Sequence, residues 1–233
     1  MKLFQRITAL LLTVMLLTGL FPVSAGASQQ ELPEFQTTHI NPLYADVVTE
    51  EDLPEPSPSV QTYAAANYVD TIEEAGAVLR EQMADRVETA TVYLFTTTYI
   101  SSEDELAALG GEILDAAYAH TGLPKEGDYI RWHYAGCTIG CEGEYTDDGY
   151  NYILTFNLSY HSTAAQEAEL DGAVEDLLNE LNLDGKSDYQ KAKAVYDYIC
   201  ANITYDHTSS SMLKHTAYAA LVNKTAVCHY LYS

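Results

Sequence analysis

From Tyr63 onward the apolar residues recur with two different periods. Ile72, Ala75, Leu79, Met83 and Val87 fall three or four apart, which predicts a helix with one buried stripe. Thr91 to Ile100 (TVYLFTTTYI) is β-branched and aromatic and reads as a strand. Ser102, followed by Glu103, Asp104 and Glu105, is a helix start, and Leu106, Leu109, Ile113 and Ala117 mark that helix's inner face. Tyr129 to Ala135 (YIRWHYA) and Tyr150 to Tyr160 (YNYILTFNLSY) read as two further strands. Asp147-Asp148-Gly149 lies between them as the turn of a hairpin.

After Thr163 the period is helical throughout. Leu170, Val174, Leu177, Leu178 and Leu181 form one face, Asp184-Gly185 breaks it, and Ser187 caps a new helix. That helix carries Ala192, Val195, Ile199 and Ile203 inward, and a short third helix spans residues 216–222. The fold class expected is α+β: a small domain over residues 63–162 in the order helix, strand, helix, strand, strand, then a helical segment over 163–233.

The N-terminal end differs in texture. Lys2 and Arg6, the leucine-rich run Ile7 to Leu20, Pro22 and Ala25-Gly26-Ala27 have the form of a secretory signal over residues 1–27. The apolar run is shorter than the ~20 residues of a spanning helix, so the expectation is a secreted or cell-surface protein without a membrane anchor after cleavage. Residues 28–62 hold five of the seven prolines, seven acidic residues and no Lys or Arg. That mixture reads as an extended, self-repelling linker.

Composition then removes some functions. Thirty-four acidic residues against 11 basic ones give a formal charge of −23, which repels phosphate backbones and anionic lipid head groups. Neither nucleic acid nor membrane is an expected partner. Phosphate-binding glycine loops, H-E-x-x-H and C-x-x-C are absent, and no cofactor or metal is implied. Asp206, His207 and His215 are too loosely spaced for a metal cluster and read as polar loop residues. Cys137 and Cys141, beside the hairpin, leave a local disulfide as one option, geometry permitting. Cys200, next to Ile199, reads as a small buried thiol. Cys228 follows a helix-ending loop and reads either as a buried structural cysteine or, with a helix starting there, as a thiol facing a positive dipole end that favours the thiolate.

The stretch from Ser187 to Cys228 reads SDYQKAKAVYDYICANITYD, then HTSSSMLKH, then TAYAALVNKTAVC. Over these roughly 40 residues the chain resembles the N-terminal part of the transglutaminase-like core of secreted bacterial proteins, in residue order, spacing and type together. Tyr129-Ile130-Arg131-Trp132 is similar, more weakly, to the domain that precedes that core. The resemblance implies a papain-like arrangement in which Cys228 attacks an amide carbonyl and forms a thioester. A histidine then serves as base and acid, an aspartate orients it, and the acyl group passes to an amine or to water. Substrates would be protein or peptide amides.

In that family the histidine and aspartate lie tens of residues downstream of the cysteine. Here Cys228 is followed by His229-Tyr230-Leu231-Tyr232-Ser233 instead of the family's glycine-tyrosine-alanine. The expectation is an incomplete core over 163–233 and a 233-residue chain without turnover. His215 could approach from a loop as a substitute base, although His229, adjacent to Cys228, would point away from it on a helix. Tyr205 is either a hydroxyl donor near the site or a packed residue after a helix end. The competing reading is a non-catalytic module that binds a cell-wall or extracellular component at the cell surface.

Overall fold

The computed structural model describes residues 32–56 and 67–227, so residues 1–27, read above as a secretory signal, and Cys228 lie outside the described residues. The chain is a mixed α+β protein built on a four-stranded antiparallel sheet of order β1-β3-β4-β2. The strands are β1 (Phe35–Ile40), β2 (Thr89–Thr96), β3 (Tyr134–Tyr145) and β4 (Tyr150–Tyr160). The β3–β4 hairpin closes where Thr146 and Gly149 exchange hydrogen bonds at 2.9 and 3.0 Å. Helices α1 (Ile72–Ala84) and α2 (Glu103–Ala117) pack on one sheet face. They bury Leu79, Met83, Leu106 and Ile113 against Val92, Ile139, Leu154 and Phe156. Both stripes fall where the apolar spacing put them, except that α1 ends at Ala84, short of Val87, and Ser102 caps α2 through the Glu105 amide.

Two small residues set how closely these layers approach. A Cβ on Gly76 would stand 2.4 Å from the Cβ of Ala116 and 2.8 Å from its carbonyl carbon, so α1 and α2 touch backbone to backbone. Gly110 admits the Cδ1 of Ile139 in the same way, letting α2 lie down on β3.

The linker reading of 28–62 is overturned for its described part. Phe35 to Ile40 pair with Cys141 to Gly136 as an edge strand of the sheet. Leu32, Tyr44, Val48 and Leu53 are buried, the last three around Ala135. The acids and prolines hide this because the apolar residues stand singly between them. Pro42 sits at the start of a 3-10 turn, where its missing N–H costs nothing.

The strand expected over Tyr129–Ala135 is also corrected. Asp128–His133 is a helix, α3, and β3 begins only at Tyr134. Gly127 enters it with φ +54, where a Cβ would press within 2.6 Å of the Ala119 carbonyl oxygen. The helix is held from a distance. The buried Asn41 amide donates to the carbonyls of Arg131 and Tyr134 at 2.7 and 2.6 Å, and the Tyr44 hydroxyl donates to that of Trp132 at 2.5 Å. Tertiary hydrogen bonds from the misread stretch thus override the local β preference of YIRWHYA.

Beyond the sheet come α4 (Ala164–Leu181), α5 (Asp188–Asn202) and α6 (Ala217–Leu221), with a two-stranded parallel ribbon of β5 (Thr204–Tyr205) and β6 (Thr225–Ala226). Thr163 with Gln166, and Ser187 with Gln190, close capping boxes at the starts of α4 and α5. Lys125 pairs with Asp171 and the Tyr218 hydroxyl donates to Glu169, tying α4 to the segments on either side. Among the described residues no helix is long and apolar enough to cross a membrane.

Candidate functional site

The two halves of the quoted motif meet at the ribbon. Thr204 pairs with Thr225 and Tyr205 with Ala226, the Thr204 amide donating to Lys224 and the Asp206 amide to Ala226, both at 2.9 Å. Lys224 adopts φ +58 to enter β6, and its ammonium donates to the Tyr198 hydroxyl at 2.8 Å. The Val227 amide donates to the Lys214 carbonyl at 3.1 Å. The chain therefore reaches residue 227, directly before Cys228, pinned on both sides. The Asp206 carboxylate accepts the Ser209 and Thr208 amides at 2.8 Å, which holds it below its ordinary range and closes the loop after β5.

Beside the ribbon lies an apolar cleft of ≈ 460 Å³ walled by Leu177 of α4, Val195 and Ile199 of α5, Ile203, Leu221 and Val227. Helix α5 buries none of its residues. Ala192, expected inward, is exposed, as is Ile199 at 42%. Cys200 is likewise exposed rather than buried, because this face of α5 fronts the open cleft instead of a neighbouring layer.

Tyr205 also lines the cleft, half exposed, with its ring 4.6 Å from that of His207. His215 is sent elsewhere. It ends the 3-10 turn Met212–His215, and its ring lies 6.2 Å from Tyr44 in a second cavity of ≈ 490 Å³ with His161. Lys214 thus approaches residue 227 through its backbone, while the neighbouring His215 ring faces the sheet domain. Cys137 and Cys141 are both free and buried, which corrects the disulfide option. Four residues apart on one extended strand, their Cα atoms stand about 13 Å from one another, beyond the roughly 7 Å a disulfide spans. Burial pushes both thiols up to about 12, so neither is a nucleophile at neutral pH.

The sequence reading missed a buried polar cluster where α1, α3, β4 and α4 converge. Arg86, at φ +57 after the end of α1, is 7% exposed. Its guanidinium lies 5.0 Å from the Tyr160 ring centroid and 5.7 Å from that of Tyr129, and Nη2 is 3.3 Å from Glu167 Oε1. Burial alone would raise the Glu167 carboxyl. Hydrogen bonds from Ser162 and Tyr129, with the charge of Arg86, instead hold it below its ordinary range.

Next to this pair His133 bonds the Tyr129 carbonyl through Nδ1 at 2.8 Å, and the His161 ring lies edge-on to Tyr44 at 4.2 Å. Burial lowers His133. Burial, with the charges of His215, His133 and Arg86, lowers His161 to about 4. These residues come from four elements with no common spacing; the one linear sign was Arg86 standing at the end of an apolar stripe. Among the described residues no group of three or more His, Cys, Asp or Glu is arranged to hold a metal ion.

No family model, curated protein or solved structure matches the chain.

Proposed function

We propose that this chain carries part of a thiol-dependent acyl-transfer apparatus of the transglutaminase-like kind, secreted, with Cys228 as nucleophile and protein or peptide amides as substrates. One observation supports the reading above others. The motif halves ITYD and KTAV, more than twenty residues apart in sequence, pair as β5 and β6 at the edge of an apolar cleft. Val227 lines the cleft, and Cys228 is the next residue in sequence. His215 lies against Tyr44 and His161 instead of at the ribbon, so the acid–base step has no owner assigned here.

The first half-reaction can be tested without that owner, using an activated ester. The Cys228 thiolate adds to the acyl carbon, the carbon–oxygen bond breaks, and p-nitrophenolate leaves with the electron pair, so no proton need be donated. Mass spectrometry after p-nitrophenyl acetate should find the acetyl group on Cys228 ahead of Cys200, and Cys228→Ala should abolish that adduct. Acetylation no faster at Cys228 than at Cys200, or only after unfolding, would overturn the proposal. Amine incorporation, deamidation and peptide hydrolysis should all be absent from the 233-residue chain. Turnover that disappears in Cys228→Ala would show that it holds its own base.

A further inference from the structure

We infer that the outer edge of β1 is a docking site for a further strand: an extended polypeptide segment carrying basic side chains, held by backbone hydrogen bonds and by the carboxylates of Glu50 and Glu55. β1 is the terminal strand of the sheet, and among the described residues it pairs with β3 alone. The Asn41 amide donates to the Ala135 carbonyl at 3.0 Å, continuing the register in which Ile40 faces Gly136. Hydrogen-bonded pairs alternate along an antiparallel ladder, so Phe35, Thr37, His39 and Asn41 direct their backbone groups at β3. Gln36, Thr38 and Ile40 therefore direct an N–H and a C=O each away from the sheet, and among the described residues no backbone group meets them. The opposite edge is covered. There the Val69 amide donates to the Tyr93 carbonyl at 2.9 Å, and the Val69 carbonyl accepts the Phe95 amide at 2.8 Å. β1 carries none of the devices that blunt an exposed edge: FQTTHI has no proline or lysine, and its six pairs run without a bulge.

What surrounds this edge selects the occupant. A groove of ≈ 280 Å³ runs beside it, lined by Gln36, Thr37 and Thr38 of β1 and by Glu50, Leu53 and Glu55 of the segment that follows. Gln36 and Thr38 lie opposite Gly140 and Thr138, on the sheet face away from α1 and α2, and the Thr138 hydroxyl donates to the Pro54 carbonyl at 3.1 Å. Leu53 is buried, whereas Glu50 and Glu55 are exposed, and among the described residues neither carboxylate forms an ion pair. The Thr38 hydroxyl donates to Glu50 Oε1 at 3.0 Å, which holds that carboxylate over the strand. On the other face Asp115 of α2 lies within electrostatic reach of His39. A strand added at the usual ~4.8 Å would put alternate side chains over two carboxylates and an apolar floor. Lysine or arginine at those positions gains charge pairing. A second copy of this chain, at a formal charge of −23, would instead bring its own Glu50 and Glu55 against the first pair.

The probe is an acetylated, amidated peptide of alternating lysine and valine, with a counterpart in which glutamate replaces lysine, titrated into the full chain at low salt. Calorimetry should show saturable binding of the lysine peptide and none of the glutamate peptide. In the free chain the amides of Gln36, Thr38 and Ile40 should exchange quickly and those of Thr37 and His39 slowly, and the bound lysine peptide should protect the first three. Glu50→Gln together with Glu55→Gln keeps the groove's shape and an acceptor for the Thr38 hydroxyl, and should weaken binding about fivefold. Thr38→Pro removes one outward N–H at a position where an edge strand accepts proline, and should weaken binding about tenfold while the pairing with β3 persists. Should that variant fail to fold, the doubly substituted one carries the test alone. Slow exchange of Thr38 already in the free chain, equal binding of the two peptides, or binding that leaves these amides unprotected would each overturn the inference. So would undiminished binding after the double substitution, or a dimer of the free chain in sedimentation that Thr38→Pro dissociates. None of these outcomes depends on Cys228.

Discussion

Acidification should loosen this protein before its carboxylates begin to protonate, and His161 is the residue to watch. Its imidazole is held at about 4 by burial and by the charges of His215, His133 and Arg86, against 6.5 in an unfolded chain. The folded state therefore keeps the ring neutral while the unfolded state takes up a proton first. Stability is complete above pH 6.5 and falls as the pH drops from 6.5 towards 4. At about 1.36 kcal/mol per pH unit the full effect is roughly 3 kcal/mol, of which about 2 kcal/mol is lost between pH 7.5 and pH 5.0. In a domain of this size that is a fall in Tm of about 4–8 °C. His133, lowered chiefly by burial, adds to the loss with the same sign. The assay is urea denaturation at pH 7.5, 6.5, 5.5 and 5.0, on the wild type and on His161→Phe. Phenylalanine keeps a ring against Tyr44, and the Nε2 that it removes makes no hydrogen bond. The variant should retain about 2 kcal/mol of the stability that the wild type loses by pH 5.0. An equal fall in both proteins would refute the reasoning.

Other consequences are open to direct measurement. Gly76→Ala drives a methyl into the backbone of Ala116 and should cost about 1–3 kcal/mol in chemical denaturation, whereas Gly111→Ala, with open space at its Cβ, should not destabilise. Leu154→Ala empties a fully buried core position and should cost about 2–5 kcal/mol. Asn41→Leu leaves the carbonyls of Arg131 and Tyr134 without their donor, and should melt α3 at a cost of about 1–3 kcal/mol each, seen as faster amide exchange over Arg131–Tyr134. Under native conditions at pH 7.5 iodoacetamide should modify Cys200 and leave Cys137 and Cys141 untouched until urea is added; early reaction at either strand thiol would contradict their burial.

α2 and α5 were legible because each carries its own punctuation. Ser102 and Ser187 each accept the amide three residues on. β2 and β4 were legible from β-branched and aromatic density. β1 was not, since FQTTHI stands among prolines and acids that dominate any windowed measure of composition. YIRWHYA misled for the opposite reason: its residues favour a strand, and what makes six residues around it helical is donated by Asn41 and Tyr44. For the candidate site, no strand was read at Thr204 or Thr225, and the inward face assigned to α5 did not hold. A helical period identifies one apolar side and says nothing about what covers it. The Arg86 cluster was invisible because its members share no spacing, only a meeting point.

The clasp on α3 has a consequence for how the chain reaches its final state. The donors Asn41 and Tyr44 lie 88 to 93 residues before the carbonyls they hold. β1 joins the sheet only by pairing with β3, across a comparable span. Closing so long a loop must precede any gain from these bonds, so this corner forms late relative to the locally connected β3–β4 hairpin. A chain made from its N-terminus has its clasp first and the strand it grips much later. Until β3 emerges, Leu32, Tyr44, Val48 and Leu53 have no Ala135 or Gly143 to pack against. The acidic residues interspersed among them, which first suggested a spacer, give that waiting segment a like charge that opposes its association with other copies.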